Sequence, residues 1–93
     1  MNVNYLPSFI KELKSLKSTP YFKPINTLVF EEIPKLDTFI DIKNLKKLQG
    51  YDNAYRIRVG DYRIGIIFQD GTVTFYRVLH RQEIYRYFPP KKP

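Results

Sequence analysis

The chain has 93 residues, 43% of them hydrophobic and 16% aromatic, which supplies one core and leaves no room for two. Cysteine is absent, which excludes disulfides and thiolate metal sites. The net charge of +7 is unevenly placed, because residues 1–34 carry four Lys against three Glu while residues 35–93 carry twelve Lys and Arg against six acidic residues.

The start, Met1-Asn2-Val3-Asn4-Tyr5, lacks the basic and apolar regions of a secretory leader. No apolar run approaches the ~20 residues that span a bilayer. A cytoplasmic protein with one domain over residues 1–93 is expected.

Residues 2–5 fit a short strand. Pro7 suits the first turn of a helix, and Phe9, Ile10, Leu13 and Leu16 follow at helical spacing. Ser18-Thr19-Pro20 interrupts, with Ser18 or Thr19 available as a cap. Phe22, Ile25, Leu28, Val29 and Ile33 make a second helical stripe, with Pro24 in its first turns and Pro34 at its end. The two segments read as a helical hairpin. Residues 35–53 show no clean period. Lys43, Lys46 and Lys47 lie on a basic turn within this loop, which has room for one helical turn and stops at Gly50.

From Ala54 the pattern becomes β. Tyr55–Val59, Tyr62–Gln69 and Thr72–His80 are rich in β-branched and aromatic residues, and Gly60-Asp61 and Asp70-Gly71 are two-residue hairpin turns between them. Residues 81–88 suit a short helix, and the Pro- and Lys-rich residues 89–93 suit a frayed tail.

Two-residue turns dictate register. The first sets Arg58 opposite Arg63 and Arg56 opposite Gly65. The second sets Ile67 opposite Thr74, Gly65 opposite Tyr76 and Arg63 opposite Val78. One face then carries Arg56, Arg58, Arg63, Gly65, Tyr76 and His80. The other carries Tyr55, Ile57, Val59, Tyr62, Ile64, Ile66, Phe68, Val73, Phe75 and Leu79, a core face for the helical hairpin. Arg77 falls on the core face by the same count, unless it leaves at an edge or the register slips. The expected fold is α+β: an N-terminal helical hairpin on one face of a twisted antiparallel sheet, with a short C-terminal helix.

All six arginines lie between positions 56 and 86. Arginine grips phosphate with a planar fork, so this segregation suits a nucleic acid or an acidic protein, or else a solvated surface. Arg58 opposite Arg63 is a like-charge cross-strand pair that costs stability. Gly65 leaves a gap beside them through which a ligand can approach the backbone, and Tyr76 at its rim can stack on a base.

Three strings carry a family resemblance: Leu45-Lys46-Lys47-Leu48-Gln49-Gly50, then Tyr55-Arg56-Ile57-Arg58-Val59-Gly60-Asp61-Tyr62-Arg63-Ile64, then Val78-Leu79-His80-Arg81-Gln82-Glu83-Ile84-Tyr85. Together they resemble the RelE/ParE superfamily of toxins from type II toxin–antitoxin pairs. The resemblance implies a RelE-like fold, a cognate antitoxin as partner and no cofactor. RelE-like members cleave mRNA in the ribosomal decoding site, whereas ParE-like members inhibit DNA gyrase and lack the nuclease residues. A non-catalytic module kept for antitoxin binding is the third reading.

By motif, Arg56 and Arg58 match the strand cations, where RelE itself has lysine, and Arg63 matches the Arg of the Tyr-Arg pair. Arg81 matches the Arg after the last strand and Tyr85 the C-terminal Tyr, at a shorter spacing than in RelE. The implied reaction is metal-independent attack of a ribose 2′-hydroxyl on the adjacent phosphate. Arginines would stabilise the charge, and Tyr85 and His80 would divide the proton transfers. His80 has a second reading as a strand-end residue holding a backbone carbonyl, and Tyr85 as a packing residue. Lys43, Lys46 and Lys47 either contact ribosomal RNA phosphates or form a solvated face.

Overall fold

In the computed structural model, which describes residues 1–91, two tight reversals organise a five-stranded sheet. Lys92 and Pro93, part of the expected tail, lie outside the described residues. Asp70 and Gly71 take left-handed φ values of 53° and 74°, the backbone a type I′ hairpin demands. Gly60 takes φ 58° in the other turn, where a Cβ would sit 2.7 Å from Cε1 of Tyr21. Glycine is thus required there for both backbone and space.

The elements in order are β1 (Asn2–Tyr5), α1 (Pro7–Lys14), α2 (Phe22–Thr27), β2 (Leu45–Lys47), β3 (Ala54–Val59), β4 (Tyr62–Gln69), β5 (Thr72–His80) and α3 (Ile84–Tyr87). Pro7 occupies the start of α1, where its missing N–H costs nothing. The second helical segment is not uniform. α2 passes into a π-helical turn at Leu28–Glu32 and a 3₁₀ turn at Ile33–Lys35. Between α1 and α2, Thr19 Oγ1 accepts from Tyr21 N at 3.2 Å. No helix among the described residues is long and apolar enough to cross a membrane.

The strand order is β1-β5-β4-β3-β2. The expected antiparallel sheet is present, with two features that the sequence did not place. β1 pairs with β5 in parallel, and Leu45–Lys47 form an edge strand on β3 instead of a turn. Lysines at an exposed edge suit a strand that must not recruit another chain.

α1 and the second helical segment cover one face. Phe9, Leu13, Leu16, Ile25, Val29 and Ile33 pack on Ile57, Ile64, Ile66, Val73, Phe75 and Val78, all buried. Full burial of each large apolar side chain contributes roughly 1.5–3 kcal/mol. Tyr55, Val59, Tyr62 and Phe68 pack at the margin of this core, as the register arithmetic requires.

The arithmetic holds across β3 and β4 without exception, and across β4 and β5 from Gln69↔Thr72 to Ile66↔Phe75. There a β-bulge intervenes. Gly65 pairs with Arg77, Ile64 with Val78, Arg63 with Leu79 and Tyr62 with His80. One extra residue reverses the faces downstream. Val78, not Leu79, enters the main core, and Leu79 joins a second, smaller cluster around Ala54, Ile84 and Phe88.

Arg77, which the uniform count put in the core, leaves at the sheet edge. Its Nε donates to both carboxylate oxygens of Glu12 on α1, at 3.1 and 2.9 Å, and Glu12 also accepts from Val78 N at 3.1 Å. Ser8 Oγ donates to Tyr76 O at 2.8 Å. Side chains of α1 thereby satisfy the stretch of β5 that β1 does not reach.

Candidate nucleic-acid interface

The face opposite the helices carries the arginines. Lys46 pairs with Arg56, Arg56 with Gly65 and Arg58 with Arg63, so four cations from three neighbouring strands share one surface. Backbone carbonyls hold two of the guanidinium groups. Asn44, in a left-handed conformation with φ 63°, accepts from Arg56 Nη1 at 2.9 Å and from Arg58 N at 3.3 Å. Arg63 Nη1 donates to Gly60 O at 2.8 Å and to Tyr62 O at 3.0 Å. Neutral carbonyls orient these groups without cancelling their charge. Among the described residues no carboxylate pairs with Arg56, Arg58 or Arg63, while Arg77 and Arg81 each have one.

The electrostatics of Arg63 reflect this crowding. Its pKa is lowered from the ordinary guanidinium value, first by burial and then by Arg56, with Arg58 and Arg81 adding to the effect and Tyr85 opposing it. The guanidinium remains charged, but in a field that an incoming phosphate would relieve.

Arg81 arrives from beyond β5. Its N–H donates to Asp61 O at 2.8 Å, which extends the β4–β5 ladder into the turn. Arg81 Nε lies 3.9 Å from Asp61 Oδ1, and both side chains are more than half exposed. Such a pair is worth little and leaves the guanidinium available. Tyr85, on the following helix, is 54% exposed. Together Lys46, Lys47, Leu48, Gln49, Arg56, Arg63, Arg81 and Tyr85 line a groove of about 350 Å³. Arg63 and Arg81 also line an adjoining cleft of about 720 Å³, which brings in Lys43, Arg58 and Asn44.

Two residues expected on this surface are not brought to it. The bulge puts His80 on the helix side of the sheet, edge-on to Tyr62 with ring centroids 5.7 Å apart. His80 Nδ1 accepts from Gln82 N at 3.2 Å, so at the strand end it holds a backbone N–H and not the carbonyl of its second reading. Tyr76 packs against Phe88, with centroids 5.9 Å apart, instead of offering a free stacking face. The gap at Gly65 is filled as well, by the ring of Phe88.

Sequence reasoning overlooked three contributors: Gln49 in the groove, the Asn44 carbonyl, and Asp61 beside Arg81. The left-handed propensity of asparagine was the one available signal for Asn44. Among the described residues, no group of three or more His, Asp or Glu side chains is placed to hold a metal ion.

The geometry can be set beside known proteins. Residues 3–85 match the family model described as ParE toxin of type II toxin-antitoxin system, parDE. The chain is 43% identical to Toxin RelE3 of Methanocaldococcus jannaschii over 90 residues, covering 96% of this chain and all of that one. The structure resembles a chain of the RelB-RelE antitoxin-toxin complex from Methanococcus jannaschii, with a TM-score of 0.73, 40% identity, and coverage of 92% of this chain and 99% of that one. It shares its fold with a chain of the RelBE2 complex from Mycobacterium tuberculosis, with a TM-score of 0.66, 20% identity, and coverage of 86% and 96%. A match over most of the chain, a full-length relative of high identity and a shared sheet-and-helix architecture agree: the chain belongs to the RelE/ParE family of toxins from type II toxin–antitoxin systems.

Proposed function

We propose that this toxin is an endoribonuclease that cleaves mRNA on the ribosome, without a metal ion, through attack of a 2′-hydroxyl on the adjacent phosphate. One observation carries the reading. Arg56, Arg63, Arg81 and Tyr85 converge on one groove, Arg58 adjoins it, and three of these four arginines have no carboxylate partner among the described residues. Like charges gathered on one face cost stability, and a phosphodiester supplies the missing anion.

In the proposed step the 2′-oxygen bonds to phosphorus as the bond to the 5′-oxygen breaks. The products are a 2′,3′-cyclic phosphate and a 5′-hydroxyl. The arginines stabilise the charge that builds on the phosphoryl oxygens, a role that fixed, preorganised cations serve well. Arginine cannot act as a base near neutral pH. Water therefore takes the 2′-hydroxyl proton, and the Tyr85 phenol gives its proton to the leaving 5′-oxygen. The resulting tyrosinate recovers a proton from the hydronium ion that the first transfer formed. His80 has no part in this scheme, because it faces the helices. Lys46 and Lys47 at the groove wall, and Lys43 in the adjoining cleft, serve as contacts to RNA phosphates.

The same cations suit a cognate antitoxin with an acidic segment, which would cover the groove and silence it. The RelB–RelE relative supports this, having been solved with its antitoxin.

The test is to induce the chain alone and map message ends. The expected result is growth arrest with cuts inside translated reading frames. The match to a model named for ParE favours one competing reading, inhibition of DNA gyrase. Arrest with intact messages and altered plasmid supercoiling would establish that reading and overturn the nuclease.

A further inference from the structure

We infer that Gly65 and Phe88 are positioning residues for Tyr85: the side chain missing at Gly65 is the seat of the Phe88 ring, and that seat sets where α3 presents the Tyr85 phenol. The inference rests on the nuclease reading and deepens it.

Gly65 lies in the middle of β4, between Arg56 on β3 and Arg77 on β5. Its φ is not in the left-handed region, so the backbone alone would accept alanine. The obstacle is Phe88. A Cβ at Gly65 would lie 2.6, 2.6 and 2.9 Å from three carbons of the ring, closer than packed atoms approach. Phe88 is 1% exposed and belongs to the small cluster with Ala54 and Ile84, apart from the main core.

α3 needs such an anchor. It has four residues and no side-chain cap, too little to hold a helix by itself. Ile84 and Phe88, four apart, are both buried in the cluster on the sheet. Tyr85, one residue after Ile84, is exposed and lines the groove with Arg63 and Arg81. A second tie holds the same helix, since the Tyr87 ring lies 4.8 Å from the Arg77 guanidinium, itself fixed by Glu12. The place of the phenol therefore depends on what lies beneath α3, and a ring expelled from its seat moves the helix with it.

The test is a kinetic cycle on the full chain with message-programmed ribosomes, reading the single-turnover rate and the half-saturating concentration separately, beside thermal unfolding. Gly65→Ala should slow cleavage about 100-fold, the order expected for a 1 Å misplacement, and leave the half-saturating concentration nearly unchanged. Adding Phe88→Leu, which returns space to the seat, should recover at least part of that rate. In a Tyr85→Phe background, Gly65→Ala should cost nothing further, a result that a purely structural role cannot give. Losses that multiply would overturn the positioning role and leave the nuclease standing. If Tyr85→Phe alone cleaves at the wild-type rate, the positioning role falls and the nuclease stands; if the wild-type chain does not cleave, the nuclease assignment falls and the positioning role with it. Should Gly65→Ala fail to fold, Phe88→Leu alone runs the same cycle against Tyr85→Phe and decides it by the same criterion.

Discussion

Arg58 and Arg63 stand directly opposite one another across β3 and β4, two cations in register with no acidic side chain among the described residues paired to either. A fold selected for stability alone would not keep this pair. Arg58→Thr should stabilise the isolated chain by about 0.5 kcal/mol, or a few degrees in Tm. It should weaken RNA binding and flatten its salt dependence by roughly the ~0.7 that one single-strand phosphate contact contributes. Differential scanning calorimetry and a salt titration of RNA affinity would show the two opposite effects in one variant.

Arg63→Ala and Tyr85→Phe should each abolish toxicity in a folded chain. Loss of a preorganised cation should cost about 10²–10³-fold in cleavage rate, and loss of the proton donor about 10²–10⁴-fold. His80→Asn keeps an acceptor near Gln82 N and should stay far short of the ~10²-fold loss that removing a proton carrier brings. Cleavage rates on programmed ribosomes would check all three.

Glu12 satisfies both Arg77 and the Val78 N–H from the opposite side of the molecule. Glu12→Ala leaves a half-buried guanidinium and an edge amide unpaired and should cost about 2 kcal/mol. Glu12→Gln retains an acceptor and should cost about half as much. Urea denaturation midpoints at neutral pH would measure the difference.

The Tyr5 phenol donates to Val29 O at 2.6 Å, and burial raises its pKa above the ordinary 10.0. The folded chain therefore holds this proton more tightly than the unfolded chain. The contribution is complete below pH 10 and is lost as pH rises from there through the higher folded value. Tyr5→Phe should lose about 1 kcal/mol at neutral pH, the value of the hydrogen bond. It should also show a shallower loss of stability above about pH 10 than the wild type does. Paired denaturation curves at pH 7 and across that range would test it.

Much of this architecture is legible before any coordinates, for local reasons. Asp70-Gly71 and Gly60-Asp61 are short enough to leave one register, and that register alone brings Arg56, Arg58 and Arg63 to one face. The helical stripes from Phe9 to Ile33 mark the opposing layer because burial enforces their spacing. The motif match, from another direction, gathered Arg81 and Tyr85 with them.

What escapes local reading depends on partners distant in sequence. β2 is three residues long and two are lysines, so only its pairing with Tyr55–Ile57 makes it a strand. The parallel pairing of β1 with β5 joins residues about 70 positions apart, beyond any local pattern. Tyr76 interrupts the alternation of β5 because Phe88 holds it on one side while Glu12 draws Arg77 to the edge. Counting from the turn cannot register either pull, which is why His80 was expected beside the arginines.

That interruption lets a single strand serve two compartments in succession. Before Tyr76, β5 sends Val73 and Phe75 into the helical layer; after Arg77, it sends Val78 there and returns Leu79 to the other side. With regular alternation, Val78 would be stranded in solvent and a cation would be buried in its stead. Removing one residue at this point should therefore act less like a trimmed loop than like a frameshift in three dimensions, inverting every position from there to the exit that delivers Arg81.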